Sequence, residues 1–206
     1  MEATIDNNIT LIRRGRLLAY LTIAWNSLEG MIAVGAGLMA GSIALFGFGV
    51  DSAIEVSSGA IIVWRLGSGE RREQIAHRLV GISFLALAGY VAFDAVKSLW
   101  QRELPDVTYV GIGIAALSLV VMPALAKAKR RVALQLKSGA MIADSRQTDI
   151  CAYLSAILLG GLALNALFDF WWADPVAALI MVPIIINEGV KGLRGEACCD
   201  DLECGG

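Results

Sequence analysis

Long apolar runs separated by short polar segments make up most of the chain. Six of these runs reach the length of about 20 mostly apolar residues that a membrane-spanning helix needs. They cover residues 17–39, 43–65, 75–99, 106–126, 138–167 and 173–192. The pattern predicts an all-α membrane protein, folded as a bundle of six transmembrane helices.

Basic residues indicate how this bundle is oriented. Lys and Arg concentrate before the first run, between the second and third runs, in the link "KAKRRVALQLK" at 127–137, and after the last run. With six spans these segments all fall on one side, and the positive-inside rule makes that side, with both termini, cytoplasmic. We therefore divide the chain into a cytoplasmic N-terminal segment (1–16), a transmembrane domain (17–195) and a cytoplasmic tail rich in Cys and Asp (196–206).

The composition agrees with a membrane protein and argues against an enzyme. Apolar residues make up 57% of the 206 residues and charged residues only 17%, with a mean hydropathy of +0.66. His77 is the single histidine in the sequence, and no nucleophile–base pairing or phosphate-binding loop is recognisable. We expect no catalysis and no nucleic-acid partner; the expected surroundings are a lipid bilayer, in the cytoplasmic membrane of a bacterium.

Acidic residues inside the apolar runs are the first sign of function. Asp51 and Glu55 lie one helical turn apart in the second run, roughly 13 and 20 Å from its predicted outer end at a rise of 1.5 Å per residue. Glu29 lies at a similar depth in the first run, beside Asn26. A carboxylate at the bilayer centre costs roughly 2.5–3.5 kcal/mol on insertion scales, so these groups need a compensating partner.

The fifth run supplies a matching polar face. Asp144, Gln147 and Cys151 follow the i, i+3, i+7 spacing of one helical face. Gln147 and Cys151 are i, i+4, as are Asp51 and Glu55, and two such pairs facing each other offer the four ligands of a tetrahedral metal site. The sequence therefore predicts a metal site at these four residues, whose carboxylates can carry protons when the metal is absent.

Other polar residues leave several interpretations open. Glu29 could be an additional metal ligand, a proton carrier or a hydrogen-bond partner of Asn26, and Asp144 could serve as an alternative ligand. The tail could capture a soft or borderline metal near the inner mouth, could be disordered with incidental thiols, or could be lipidated. The thiols concerned are Cys198, Cys199 and Cys204.

Three segments resemble one transporter family. "GSIALFGFGVDSAIE" at 41–55 is similar to the second-helix segment of the cation diffusion facilitators, commonly a GSLALLADALHSLSD-like sequence. "ADSRQTDICAYLS" at 143–155 resembles their fifth-helix segment, commonly ADALHTRSDVLTS-like. "WWADPVAALIMVPIIINEGVKGLRG" at 171–195 resembles their sixth helix and its WLDP start. The similarity extends over nearly the whole membrane region, in the same order.

The resemblance implies a function, and the chain departs from the family pattern in two respects. Family members bind a divalent metal between helices two and five and export it, often in exchange for protons and usually as dimers. Gln147 and Cys151 stand where the family usually has His and Asp, which mixes hard carboxylates with a soft sulfur ligand. Most members also carry a cytoplasmic domain after helix six, whereas here only the tail follows, so we expect a homodimer formed through membrane helices.

The sequence thus predicts a divalent-metal efflux transporter that works by alternating access. Zinc is the first choice of cargo, with cadmium, cobalt, iron and mercury as alternatives, and protons are the expected counter-ion. A membrane metal sensor that binds metal without transporting it is the alternative function.

Overall fold

The computed structural model describes residues 2–65, 73–102, 105–136 and 139–194, and this part of the chain is helical without any strand. The helices are α1 (Glu2–Ala40), α2 (Ile43–Arg65), α3 (Glu73–Gln101), α4 (Tyr109–Leu136), α5 (Gly139–Phe168) and α6 (Ala173–Arg194). The prediction of an all-α bundle of six helices is confirmed.

Five helices in the described ranges contain a stretch long and apolar enough to cross a membrane. These stretches are Thr10–Ala40, Gly81–Gln101, Tyr109–Leu136, Asp144–Phe168 and Ala173–Arg194. The remaining helix, α2, has 23 residues and carries Asp51 and Glu55 near its middle. It packs against α1, α3, α5 and α6, and Asp51 and Glu55 are buried among these helices. That position suits a helix with intramembrane carboxylates.

The helices pack most extensively in three pairs: α1 with α2, α3 with α6, and α4 with α5. Small residues let the paired backbones approach closely. A Cβ atom at Gly49 of α2 would come 2.7 Å from the backbone nitrogen of Val34 in α1. A Cβ atom at Gly81 of α3 would come 2.7 Å from the carbonyl oxygen of Gly189 in α6. Larger residues at either glycine would force the two helices apart.

Short turns meet at one end of the bundle, which we call the loop end (residues 40–44, 105–108 and 169–174). Gly41 turns the chain between α1 and α2 with φ at +66°, a conformation that glycine adopts without strain. Ser42 caps α2, because its Oγ accepts a hydrogen bond from the backbone nitrogen of Leu45 at 3.1 Å. The backbone nitrogen of Asp106 donates to the carbonyl of Ala40 at 2.8 Å, which ties the next turn to the same place.

Asp174, in the first turn of α6, also caps α2. One carboxyl oxygen accepts from the backbone nitrogens of Ile43 (2.9 Å) and Ala44 (3.4 Å), and the other accepts from Ser42 Oγ at 2.5 Å. An acidic group at a helix N-terminus satisfies free N–H donors and interacts favourably with the helix dipole. The WWADP segment therefore fixes the start of α6 against the start of α2.

The predicted boundary between α4 and the link that follows it is wrong. The basic segment 127–137 was expected to be a link, but α4 continues through it to Leu136. Lys, Arg, Ala and Leu all favour helix, so the segment prolongs α4 beyond its apolar part. Pro123 lies inside the same helix, as Pro183 does inside α6.

Candidate metal centre

The polar face of α1 points into the bundle. Thr22, Asn26, Glu29 and Ala33 are all fully buried and follow one another at helical spacing. The Glu29 carboxyl group lies near the Ser118 hydroxyl of α4 and the Trp25 indole. α1 therefore brings a carboxyl group into the interior, as its sequence position suggested.

On α2, the two predicted ligands are buried side by side. Asp51 is 5% exposed and Glu55 is 1% exposed. Their carboxyl groups are within electrostatic range of each other, and both are within range of Glu29. Glu188 of α6 also lies within electrostatic range of Asp51. Three carboxyl groups from α1 and α2 thus share one buried region.

The buried face of α5 includes the side chains of Asp144, Thr148, Cys151 and Ser155, which follow one another at helical spacing. Cys151 is a free cysteine with no exposed surface. Its thiol lies beside the Glu55 carboxyl group and within electrostatic range of Asp51 and Glu29. The structure therefore places Cys151 beside Glu55 and in the same buried region as Asp51.

Gln147 lies at the edge of this face. It is partly exposed, although its Nε2 atom is buried and finds no hydrogen-bond partner in the part of the chain that the structure describes. Thr148, the next residue, occupies the more central position. Its hydroxyl donates to Glu55 Oε1 at 2.7 Å and accepts from Lys129 Nζ at 2.9 Å.

Lys129 of α4 completes the group. Its Nζ lies 2.8 Å from Asp144 Oδ2, and both side chains are almost fully buried. We call the whole set the central polar layer. Its members are Glu29, Asp51, Glu55, Lys129, Asp144, Thr148 and Cys151.

Hydrogen bonding within and beside the central polar layer is incomplete. In the described ranges, several buried polar atoms have no hydrogen-bond partner: Trp25 Nε1, Asn26 Oδ1 and Nδ2, both oxygens of Glu29, Glu55 Oε2, Ser118 Oγ, Asp144 Oδ1 and Gln147 Nε2. Leaving a buried polar group unpaired costs roughly 1–3 kcal/mol. Such groups in a native fold call for an explanation, and a bound ion or water is a frequent one.

Across the described side chains, no three or more His, Cys, Asp and Glu form a group close enough to hold a metal ion. The acidic residues and the thiol face one region, but no three of these described side chains lie as close together as the ligands of one ion. The predicted four-ligand site therefore stays a prediction. The tail thiols Cys198, Cys199 and Cys204 lie outside the described residues, as does the prediction made for them.

Sequence reasoning missed two members of the central polar layer. The basic pattern places Lys129 in a link, and the i, i+3, i+7 spacing selects Gln147 rather than the neighbouring Thr148. Helical spacing contains a signal for both residues. Thr148 is four residues after Asp144 and therefore lies on the same helical face. If residues 127–136 are helical, one of their basic side chains can face the interior of the bundle.

Comparison with known proteins decides the family. The family model described as the cation efflux transmembrane domain matches residues 19–195, most of the chain. The chain belongs to the cation efflux family. This is a family of membrane transporters of divalent metal cations and not of enzymes. The resemblance read from three sequence segments is confirmed.

Two relatives extend this comparison. Transmembrane protein 163 of Xenopus laevis is 26% identical over 180 residues, which are 84% of this chain and 64% of the relative. The uncharacterized transporter MJ0449 of Methanocaldococcus jannaschii is 25% identical over 177 residues, which are 80% of this chain and 62% of that protein. The chain thus spans less than two thirds of the length of either relative.

Proposed function

We propose that this protein exports a divalent metal cation, with zinc as the first choice, by alternating access through a site between α2 and α5. Asp51, Glu55 and Cys151 are the main ligands in this proposal, and Gln147 is the fourth and weakest. Membership of the cation efflux family supports the general activity. The cargo, the site and the coupling to protons belong to the proposal.

The observation that carries the proposal is the convergence of Asp51, Glu55 and Cys151 inside an apolar bundle. All three are buried, and across the α2–α5 contact the Cys151 thiol lies beside the Glu55 carboxyl group and within electrostatic range of the Asp51 carboxyl group. Oxygen and sulfur ligands together suit borderline metals such as zinc, and also softer ones such as cadmium. A divalent ion in this place would offset charges that the low-dielectric interior otherwise makes unfavourable.

Binding requires the ligands to draw together around the ion. Glu55 holds one oxygen on Thr148 at 2.7 Å, and its other oxygen is available to a ligand without breaking that bond. Asp51 lies one turn away on the same face of α2, within reach of the same position. Side-chain rotations and a small shift of α5 toward α2 would bring Cys151 and Gln147 into the same coordination shell.

Proton exchange follows from the same groups. A carboxyl group that releases a metal ion can take up a proton, so metal and protons compete for Asp51 and Glu55. Glu29 is buried in the same region and serves in this proposal as a proton carrier. We further propose that the protein works as a homodimer assembled through its membrane helices.

The test is metal uptake into proteoliposomes that contain the full chain. Zinc, cadmium, cobalt, iron and mercury are compared, each with and without an imposed pH gradient. We expect saturable zinc flux that increases with an opposing proton gradient. The double variant Asp51→Ala, Glu55→Ala should lose this flux.

Asp94→Asn is the matched control, because Asp94 is also an acidic residue within a span, on α3, but lies outside the central polar layer and accepts a hydrogen bond from Tyr90 at 3.5 Å. It should transport like the unaltered protein. Flux that survives loss of Asp51 and Glu55 would exclude this site. Stoichiometric zinc binding without any flux would favour the metal-sensor function instead.

A further inference from the structure

The burial of the charged Lys129 side chain is energetically costly and needs an explanation. Lys129 is 1% exposed and is one of the largest fully buried side chains; among the described cationic side chains it alone is buried. A buried ammonium group is costly even when paired, and a buried ion pair is weak evidence for a purely stabilising role. A hydrophobic residue of similar size would join α4 to α5 at least as well, so the presence of a charge points to a different task.

The contacts of Lys129 lead directly to the proposed metal ligands. Its Nζ lies 2.8 Å from Asp144 Oδ2 and donates to Thr148 Oγ1 at 2.9 Å. Thr148 in turn bonds Glu55 Oε1 at 2.7 Å, and Lys129 is within electrostatic range of Glu55. An ammonium group has no lone pair and cannot itself bind a metal. Its influence on an ion at Glu55 is therefore one of charge.

We propose that Lys129 sets the affinity of the metal site: it is a buried cation that offsets part of the negative charge of the central polar layer and so limits how tightly a divalent ion is held. This inference rests on the function proposed above. Four acidic residues, Glu29, Asp51, Glu55 and Asp144, surround this region, and the buried cation among them is Lys129. A transporter must release its cargo as well as bind it, and a fixed positive charge nearby favours release because like charges repel strongly in a low dielectric.

A neighbouring ion pair provides a matched control. Arg130 of α4 pairs with Asp149 of α5, so it joins the same two helices. Arg130 follows Lys129, and Asp149 follows Thr148, which accepts a hydrogen bond from Lys129. The Arg130 side chain is 49% exposed, and exposed pairs contribute little because water screens them. Removing the Arg130 charge therefore tests the effect of losing an ion pair between α4 and α5 without changing the charge of the central polar layer.

The experiment measures zinc binding by isothermal titration calorimetry on the full chain in lipid nanodiscs, and zinc flux in proteoliposomes. Lys129→Met should bind zinc about tenfold more tightly than the unaltered protein and should transport it more slowly. The double variant Lys129→Met, Asp144→Asn removes one charge of each sign and should bind zinc within about threefold of the unaltered protein. Arg130→Met should stay within about twofold.

Unchanged or weaker zinc binding by a folded Lys129→Met protein would overturn the inference. Should that variant not fold, the comparison of Asp144→Asn with the double variant decides. Asp144→Asn leaves Lys129 uncompensated and should weaken zinc binding about tenfold, and the further loss of Lys129 in the double variant should restore the affinity to within about threefold of the unaltered protein. Equal affinities of the two variants would contradict us. A double variant that binds much more weakly than the unaltered protein would identify Asp144 as a ligand and also contradict us. If the unaltered protein neither binds nor transports zinc or any other metal of the panel, the proposed function itself has failed.

Discussion

The loop end and the central polar layer both bury acidic side chains, but the hydrogen bonding of these side chains differs between the two regions. Asp174 is 1% exposed, and its carboxyl oxygens accept three hydrogen bonds from Ser42, Ile43 and Ala44. Glu29 is equally buried, and the Ser118 hydroxyl and the Trp25 indole lie near its carboxyl group. Neither Glu29 oxygen, however, has a hydrogen-bond partner of ordinary geometry among the described residues. A fully satisfied buried acid serves the fold, whereas an unsatisfied one is retained at a cost to stability and indicates a ligand or a proton.

The largest expected effect tests the central polar layer. Asp51→Asn and Glu55→Gln keep side-chain volume but remove the charge that a metal needs. Each should lower zinc flux by about 100-fold while leaving the thermal unfolding midpoint in detergent unchanged or higher. Flux and unfolding are measured on the same preparations. A fall in both together would mean that these acids serve the fold, as Asp174 does, and the comparison would break down.

The opposite result is expected at the loop end. Asp174→Ala removes the cap of α2 and should lower the free energy of unfolding by about 2 kcal/mol, seen as a lower thermal midpoint. Zinc affinity of the remaining folded protein should stay within about threefold. Asp174→Asn is the control, because an amide oxygen still accepts hydrogen bonds from the N-terminus of α2 and should restore most of the stability.

Cys151 should determine metal preference more than total activity. Replacing its sulfur with oxygen in Cys151→Ser removes the one soft ligand. The ratio of cadmium to zinc affinity should fall by about tenfold, measured by competition between the two metals. Ser155→Ala, one helical turn after Cys151 on the buried side of α5, should leave this ratio unchanged. An unchanged ratio in Cys151→Ser would show that the thiol only fills space.

Gln147 should give the smallest effect. It lies at the edge of the buried face of α5, and an amide oxygen is a weaker ligand than a carboxylate. Gln147→Ala should reduce zinc affinity by about threefold in the same binding assay. A loss of zinc affinity as large as that caused by Glu55→Gln would show that Gln147 is a central ligand. That position would require α5 to rotate from its present orientation.

Sequence reasoning predicted the helices better than the contacts between them. Length and hydropathy were enough for the six helices, and helical spacing placed Asp51, Glu55 and Cys151 on inward faces. It failed at 127–136, where basic residues are typical of a cytoplasmic link but here continue α4. It also could not show that Lys129 faces Asp144, because the rotation of one apolar helix against another depends on packing that a nearly uniform hydrophobic pattern does not encode.

The cap that joins α6 to α2 has a mechanical consequence. Asp174 accepts hydrogen bonds from the first residues of α2, so α2 and α6 are held together where both helices begin. If either helix tilts, it therefore rotates about this end. A helix of about 20 residues is about 30 Å long, so a tilt of about 10° displaces its far end by about 5 Å and hardly moves the pinned end. The widest opening from such a tilt would lie at the ends of α2 and α6 that are farthest from the loop end.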